Sequence, residues 1–158
     1  GSRFRVALRD PRGDENSAIG VLTLSDTTIS TSGDYERYFE KDGVRYHHIL
    51  DPRTGYPADS GLMQVTIICD DSVIGDALST ACFVLGLDKG MNLAAKYGVN
   101  AIFVDTDKNI WYNNPDVLNY FEFTGKDSGY VLNFADESPK ISRGGFKWQN
   151  NQVDFLAV

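Results

Sequence analysis

Apolar residues along the chain follow two periodicities, which predict a mixture of strands and helices. The strongest strand signal is Leu62–Cys69, which is rich in Val, Ile and Thr. The strongest helix signal is Ser72–Leu85, whose apolar residues recur at helical spacing: Val73, Ala77, Ala81, Val84 and Leu85. Further elements are predicted as a helix over 88–97 and strands over 4–9, 19–24, 28–32, 34–40, 44–49, 99–104 and 110–112. This order predicts an α+β fold with a mixed antiparallel sheet and two main helices.

A hairpin is predicted where Asp42-Gly43 separates two of these strands. Alternation along the second strand places His48 on one face with Val44 and Tyr46. His47 belongs to the opposite face. The two histidines are therefore expected to point to different sides of the hairpin.

Composition indicates one domain and excludes some partners. The 158 residues, 42% of them hydrophobic, suffice for a single buried core. The formal net charge of −7 argues against nucleic acid and against an anionic membrane surface as partners. We predict that residues 1–124 form this domain. The tail at 125–158 has a weaker pattern and is expected to add short strands or to become ordered only by docking.

The segment 46–57 concentrates groups that transfer protons and bind anions. His47 and His48, the two histidines of the chain, lie close to Asp51 and Arg53 in the sequence. Pro52 and the proline at 57 restrict the residues before them to extended conformations, which fixes the direction of these side chains. One interpretation is a catalytic loop. The other is a rigid connector in which Asp51 and Arg53 bind each other and the neighbouring backbone.

Asp76 and Thr80 form a candidate metal site on the predicted helix. They are four residues apart, so their oxygens lie on one face of the helix. A carboxylate and a hydroxyl are hard oxygen ligands suited to Mg²⁺ that also binds water and phosphate. Alternatively, Asp76 complements the helix dipole and Thr80 bonds back to the carbonyl four residues earlier.

Two weaker features remain open at this level. Ser30, Thr31, Ser32 and Gly33 end a predicted strand and could offer hydroxyl and N–H groups to a phosphate, or could simply form a turn. Cys69 and Cys82 are interpreted as buried small apolar residues, with a disulfide between them as the alternative.

Three segments together resemble the ApbE family of FAD:protein FMN transferases: TSGDYERYF at 31–39, HHILDPRTGYP at 47–57 and GDALSTA at 75–81. RDP at 9–11 and FVLG at 83–86 also fit the family pattern. The resemblance runs from about residue 4 to about residue 123. It implies an α+β arrangement of the T-fold kind, with FAD as substrate, Mg²⁺ as cofactor and a protein with a Ser or Thr hydroxyl as FMN acceptor.

The resemblance also implies residue roles. His48 takes the position of the family's catalytic histidine, and Asp51 is expected to orient it or Arg53. Asp76 and Thr80 take the positions of metal ligands, and Ser30, Thr31, Ser32 and Gly33 match a segment that lies against the flavin nucleotide. Many family members are exported lipoproteins of the bacterial cell envelope, facing the periplasm or the exterior. A membrane is therefore expected as a partner only through a lipid anchor on a longer protein.

The matching region is the C-terminal half of the family domain. The resemblance thus implies that this chain carries part of an active site whose other part lies in the N-terminal half. Two alternatives use the same residues: an Mg²⁺-dependent FAD pyrophosphatase, and a module that binds flavin nucleotide and metal, or only supports structure, without catalysis.

Overall fold

The computed structural model describes residues 2–135, which form two packed β-sheets, two α-helices and a separate β-hairpin. In chain order the elements are β1 (Phe4–Arg9), β2 (Ala18–Leu24), β3 (Thr28–Gly33), β4 (Tyr38–Lys41), β5 (Val44–His47), β6 (Leu62–Cys69), α1 (Ser72–Leu85), α2 (Leu87–Tyr97), β7 (Asn100–Asp105), β8 (Asn109–Tyr112), β9 (Phe121–Phe123) and β10 (Val131–Phe134). Short 3-10 helices occupy Pro115–Asn119 and Gly125–Ser128. The predicted α+β class is confirmed.

The elements stack in three layers. A three-stranded sheet of order β1-β2-β9 packs on a five-stranded sheet of order β10-β8-β7-β6-β3, whose other face carries α1 and α2. Strand β7 shows the division, because alternate side chains enter different cores. Ile102 and Val104 join the core between the sheets, while Ala101 and Phe103 join the core under the helices.

Helix α1 has the predicted bounds but buries another face. Its buried side chains include Leu78, Cys82 and Phe83. Of the apolar residues that predicted the helix, Val73 is 75% exposed and Leu85 is 40% exposed, whereas Val84 is partly buried against the core under the helices. Helical spacing alone could not identify the buried face, because α1 is apolar on both sides.

The β4–β5 hairpin differs from its predicted bounds at both ends. The Asp42-Gly43 turn is present, with positive φ at both residues, as a two-residue hairpin of this twist requires. The first strand begins at Tyr38 rather than residue 34, because Asp34 and Tyr35 turn inward to buried partners. The second strand ends at His47, so His48 lies just beyond it.

Part of the predicted tail belongs to the five-stranded sheet. Strand β10 pairs in parallel with β8, and Ala135 packs against the core under the helices. The rest of the predicted tail, 136–158, lies outside the described residues.

Both cysteines, Cys69 and Cys82, are free. Cys82 is fully buried, and this burial raises the pKa of its thiol to about 12. Cys69 is only partly buried. Within residues 2–135, neither helix combines the length and apolar character of a membrane span.

Candidate functional site

The predicted nucleotide-binding strand and the predicted metal-binding helix meet side by side. Ser32 on β3 lies with its Oγ 3.1 Å from Thr80 Oγ1 and 2.9 Å from Ser79 Oγ. Ser79 also donates to the backbone carbonyl of Asp76. These hydroxyls connect β3 to the middle of α1 and place two sequence-predicted residues, Ser32 and Thr80, in one cluster.

A glycine permits this close approach of strand and helix. A Cβ built at Gly75 would lie 3.0 Å from Ser30 Oγ and 3.1 Å from Cys69 Sγ. Contacts that short are tighter than ordinary van der Waals packing, so a larger residue would push α1 away from β3. Gly75 therefore keeps Asp76 and the hydroxyls of α1 close to β3.

Alternation divides the predicted nucleotide-binding segment between two faces of the sheet. Ser30 and Ser32 face α1, whereas Thr31 lies with its Oγ1 2.9 Å from Thr66 Oγ1 on the other face. Gly33 packs against Tyr35, whose ring a Cβ at Gly33 would approach to 2.5 Å. Only the serines of this segment thus share a face with Thr80.

His47 is a neutral, partly buried histidine of the core edge. Its ring packs edge-on against Phe83 at a centroid distance of 5.6 Å. Since a carbonyl only accepts, His47 Nε2 carries the proton that it donates to Ala58 O at 3.2 Å. Nδ1 accepts from the Ile49 N–H at 3.3 Å. Burial lowers the pKa of His47, and the bond to Ala58 opposes this effect in part.

His48 has the opposite tautomer and an exposed ring. Its Nδ1 lies 3.3 Å from the Arg37 carbonyl oxygen, so Nδ1 carries the proton and donates it. The backbone N–H of His48 donates to the same carbonyl oxygen at 3.0 Å. Both contacts fix the ring on the hairpin and leave the lone pair of Nε2 available. His48 can therefore accept a proton from a group that approaches from outside.

Of the two partners considered for Asp51, the structure places Arg53 beside it. Arg53 Nε and NH2 donate to the carboxylate at 3.0 and 2.7 Å. These hydrogen bonds lower the pKa of Asp51. Backbone N–H groups of Thr54 and Gly55 donate to the Asp51 carbonyl, and an isolated bridge pairs Leu50 with residue 57. Asp51 therefore closes the loop that follows His48.

An ion pair outside the predicted set anchors the hairpin. Arg12 binds both carboxylate oxygens of Asp34 at 2.8 and 2.6 Å, and Arg45 of β5 approaches the same carboxylate at 3.8 Å. The hydrogen bonds to Asp34 raise the pKa of Arg12. Asp34 is buried, and such a bidentate pair has a defined geometry. It joins the β1–β2 loop to the hairpin that carries His48.

Asp76 and Thr80 fit the oxygen chemistry of a magnesium site. Both are exposed on α1 and lie one helical turn apart. Mg²⁺ is usually held by one or two carboxylates together with water and phosphate oxygens, so this pair would supply part of its coordination shell. No cluster of three or more His, Cys, Asp or Glu side chains suited to a metal occurs within residues 2–135.

The geometry does not favour the two alternative roles of this pair, a helix-dipole contact of Asp76 and a bond from Thr80 back to its own helix. Helix α1 begins at Ser72, so Asp76 lies beyond its first turn, and Asp71 caps the helix instead. The hydroxyl that bonds back to the helix belongs to Ser79, while Thr80 Oγ1 contacts Ser32.

Sequence reasoning assigned no role to three residues of this site. Ser79, Gly75 and Arg37 lie inside or next to recognised motifs. The spacing of Gly75 and Ser79 on one helical face could have indicated contact with a strand. Arg37 acts through its backbone carbonyl, which no side-chain pattern reveals.

Comparison with known proteins identifies related sequences. Residues 1–103 match the sequence model of the ApbE family. An FAD:protein FMN transferase of Klebsiella pneumoniae is 45% identical over 130 residues, which cover 82% of this chain and 40% of that protein. One of Treponema pallidum is 46% identical over 108 residues, which cover 68% of this chain and 30% of that protein.

Solved structures agree with the sequence matches. The ApbE protein of Thermotoga maritima aligns with a TM-score of 0.60 and 47% identity, covering 66% of this chain and 34% of that protein. The flavin transferase ApbE of Vibrio cholerae aligns with a TM-score of 0.60 and 30% identity, covering 74% of this chain and 37% of that protein. The chain thus spans well under half the length of these relatives.

Proposed function

This chain belongs to the ApbE family, and on that premise we propose that it is part of an FAD:protein FMN transferase. The reaction moves FMN from FAD to a Ser or Thr hydroxyl of an acceptor protein and releases AMP. The observation that most supports this role is the exposed His48, whose Nδ1 is held by the Arg37 carbonyl while Nε2 has a free lone pair. An exposed base of this kind can accept a proton from a hydroxyl of a folded acceptor protein.

The proposed reaction is a phosphoryl transfer in one step. The acceptor hydroxyl oxygen attacks the phosphorus on the FMN side of the pyrophosphate, and its proton passes to His48 Nε2. The bond between that phosphorus and the bridging oxygen breaks, and AMP leaves with the bridging oxygen. The product is a phosphoester between FMN and the acceptor. Asp51 positions His48 indirectly, because it closes the following loop through Arg53.

Asp76 and Thr80 are the proposed ligands of Mg²⁺. When bound there, Mg²⁺ would neutralise negative charge on the pyrophosphate during transfer. We assign the flavin nucleotide to residues 30–33, because Ser32 contacts Thr80 directly and Ser30 faces the same helix. Ser79 supports both elements from its buried position between them.

The same resemblance motivates a proposal about location. We propose that the natural protein is an exported lipoprotein of the bacterial cell envelope, held by a lipid anchor and facing the periplasm or the exterior. Fractionation of cells that express the natural protein tests this, and recovery in the soluble cytoplasmic fraction would contradict it.

One assay separates transfer from the alternatives. The natural protein that contains this chain is incubated with FAD, Mg²⁺ and an acceptor domain, and both AMP release and acceptor mass are measured. We expect the acceptor to gain the mass of FMN as AMP appears. AMP with free FMN and an unchanged acceptor would instead indicate a pyrophosphatase, and no AMP would indicate a binding or structural module.

A further inference from the structure

The turn between β3 and β4 holds His48 through a single carbonyl. The Arg37 carbonyl oxygen accepts from the backbone N–H of His48 at 3.0 Å and from its Nδ1 at 3.3 Å. Arg37 ends this turn, which spans residues 34–37 and leads directly into β4. The position of the turn therefore determines where the His48 ring lies and which ring nitrogen carries the proton.

Asp34 anchors the start of the same turn. It is only 7% exposed, and its carboxylate accepts from NH1 and NH2 of Arg12 at 2.8 and 2.6 Å. Arg45 NH1 approaches the carboxylate at 3.8 Å, and the backbone N–H of Asp34 donates to the Met63 carbonyl at 3.1 Å. One buried carboxylate thus joins the turn to the β1–β2 loop, which carries Arg12, and to β5, which carries Arg45.

The loop that carries Arg12 is itself fixed by a buried carboxylate. Asp10 is 6% exposed, and its Oδ1 accepts from the backbone N–H of Arg12 at 2.9 Å and from the Tyr130 hydroxyl at 2.6 Å. Tyr130 belongs to the core between the sheets. Arg12 is therefore held at its backbone as well as at its guanidinium, and this connects the turn beside His48 to the core.

The ion pair of Arg12 and Asp34 is better suited to fixing geometry than to adding stability. Burying two charges costs free energy that their attraction often only offsets. A two-pronged contact between a guanidinium and a carboxylate, however, defines both distance and orientation. Such a contact at the base of the turn limits the movement of the Arg37 carbonyl.

We propose that Arg12 and Asp34 are positioning residues for FMN transfer. Their ion pair holds the turn at 34–37 so that the Arg37 carbonyl keeps His48 protonated at Nδ1, with Nε2 free to accept a proton. This inference rests on the proposed function, in which Nε2 takes the proton of the acceptor hydroxyl. Neither positioning residue needs to contact FAD or the acceptor.

Nitrogen-15 NMR of the natural protein, labelled at histidine, tests the structural part of this proposal. At about pH 8, where free histidine is neutral, wild-type His48 should carry its proton on Nδ1. In Arg12→Ala the two nitrogen shifts should move toward those of a mixture of tautomers. His48→Gln assigns the signals. Arg5→Ala is the matched control, because Arg5 forms an exposed ion pair with Glu122 at 3.6 Å.

Steady-state kinetics of the same variants test the catalytic part. Arg12→Ala should lower kcat by about 10- to 100-fold, as for a displaced catalytic group, with an unchanged KM for FAD. Arg12→Lys keeps the charge but loses the two-pronged contact, so its loss should be smaller. Since Arg12 acts through His48, Arg12→Ala should cause no further loss of kcat in a His48→Ala background.

The two measurements distinguish failure of the inference from failure of the proposed function. An unchanged tautomer or an unchanged kcat in folded Arg12→Ala would overturn the inference, and so would a further loss of kcat in the His48→Ala background. If Arg12→Ala does not fold, Arg12→Lys takes its place in both measurements. If wild-type protein transfers no FMN, the proposed function fails, while NMR still decides whether Arg12 holds His48.

Discussion

At the scale of single residues, two adjacent histidines differ in their surroundings, because their hydrogen bonds select opposite tautomers. His47 donates from Nε2 to Ala58 and packs against Phe83, whereas His48 donates from Nδ1 to Arg37. Removing His48 should lower FMN transfer by about 10²–10⁴-fold, as expected for loss of a general base. The measurement is acceptor mass against time for His48→Ala. His47→Gln is the control, and equal damage by both substitutions would contradict the assignment.

The burial of His47 predicts a pH dependence of stability. Its pKa is lowered in the folded state, so the unfolded chain binds a proton first as the pH falls. His47 should therefore stabilise the fold fully above about pH 6.5, and this stabilisation should be lost below that value. Urea unfolding between pH 7.5 and 5.5 measures the effect. His47→Gln should be less sensitive over this range, and identical pH profiles would refute the prediction.

The position of Asp76 predicts that its loss changes the Mg²⁺ requirement of FMN transfer, whereas loss of an exposed acidic residue on another helix does not. In Asp76→Ala, the Mg²⁺ concentration for half-maximal transfer should rise by about tenfold or more, because the candidate site loses its carboxylate. Asp88→Ala on α2 is the control, since Asp88 is also exposed and acidic but lies in the first turn of another helix. An unchanged Mg²⁺ requirement in Asp76→Ala would remove Asp76 from the site.

At the scale of elements, helix α1 carries the candidate metal pair and depends on its N-terminal cap. Asp71 Oδ1 accepts from the backbone N–H groups of Val73 and Ile74 at 2.9 and 3.1 Å. Asp71→Ala should lower the free energy of unfolding by about 1 kcal/mol. Urea denaturation measures this loss. The exposed neighbour Asp70 provides the control, and an equal effect of Asp70→Ala would argue against capping.

The same helix shows how far sequence could predict the elements. Helix α1 and strand β6 have the predicted bounds, because helical spacing in one and Val, Ile and Thr in the other are strong local signals. The beginning of β4 was mispredicted because Asp34 and Tyr35 have partners distant in sequence, Arg12 and Gln64. Local pattern contains no information about such partners.

The candidate site was predictable to a similar degree. Motifs identified Ser32 and Thr80 separately, and the structure brings them within 3.1 Å. Strand alternation does not fix the orientation of His48, because β5 ends at His47. Its tautomer depends on the carbonyl of Arg37, which no side-chain pattern reveals. The roles proposed for these residues remain predictions for the assays above.

At the scale of the whole molecule, two cores share the five-stranded sheet, and Phe103 fills the one under the helices. It is fully buried, so Phe103→Ala should lower the free energy of unfolding by about 3–5 kcal/mol. Phe39→Ala should change it by less than about 0.5 kcal/mol, because Phe39 is on the surface. Urea titrations compare the two. A large loss in Phe39→Ala would show that this exposed ring supports the fold itself.

The pairing of β2 with β9 sets the order in which the molecule can be completed during synthesis. Thr124 Oγ1 donates to the Ala18 carbonyl, 106 residues apart along the chain, next to the pairs formed by Gly20 and Leu22. Contacts this distant in sequence form slowly, since the long intervening loop must first be closed. A nascent chain can therefore fold α1 and α2 early, but the edge of β2 that pairs with β9 stays open until residues 121–123 have left the ribosome.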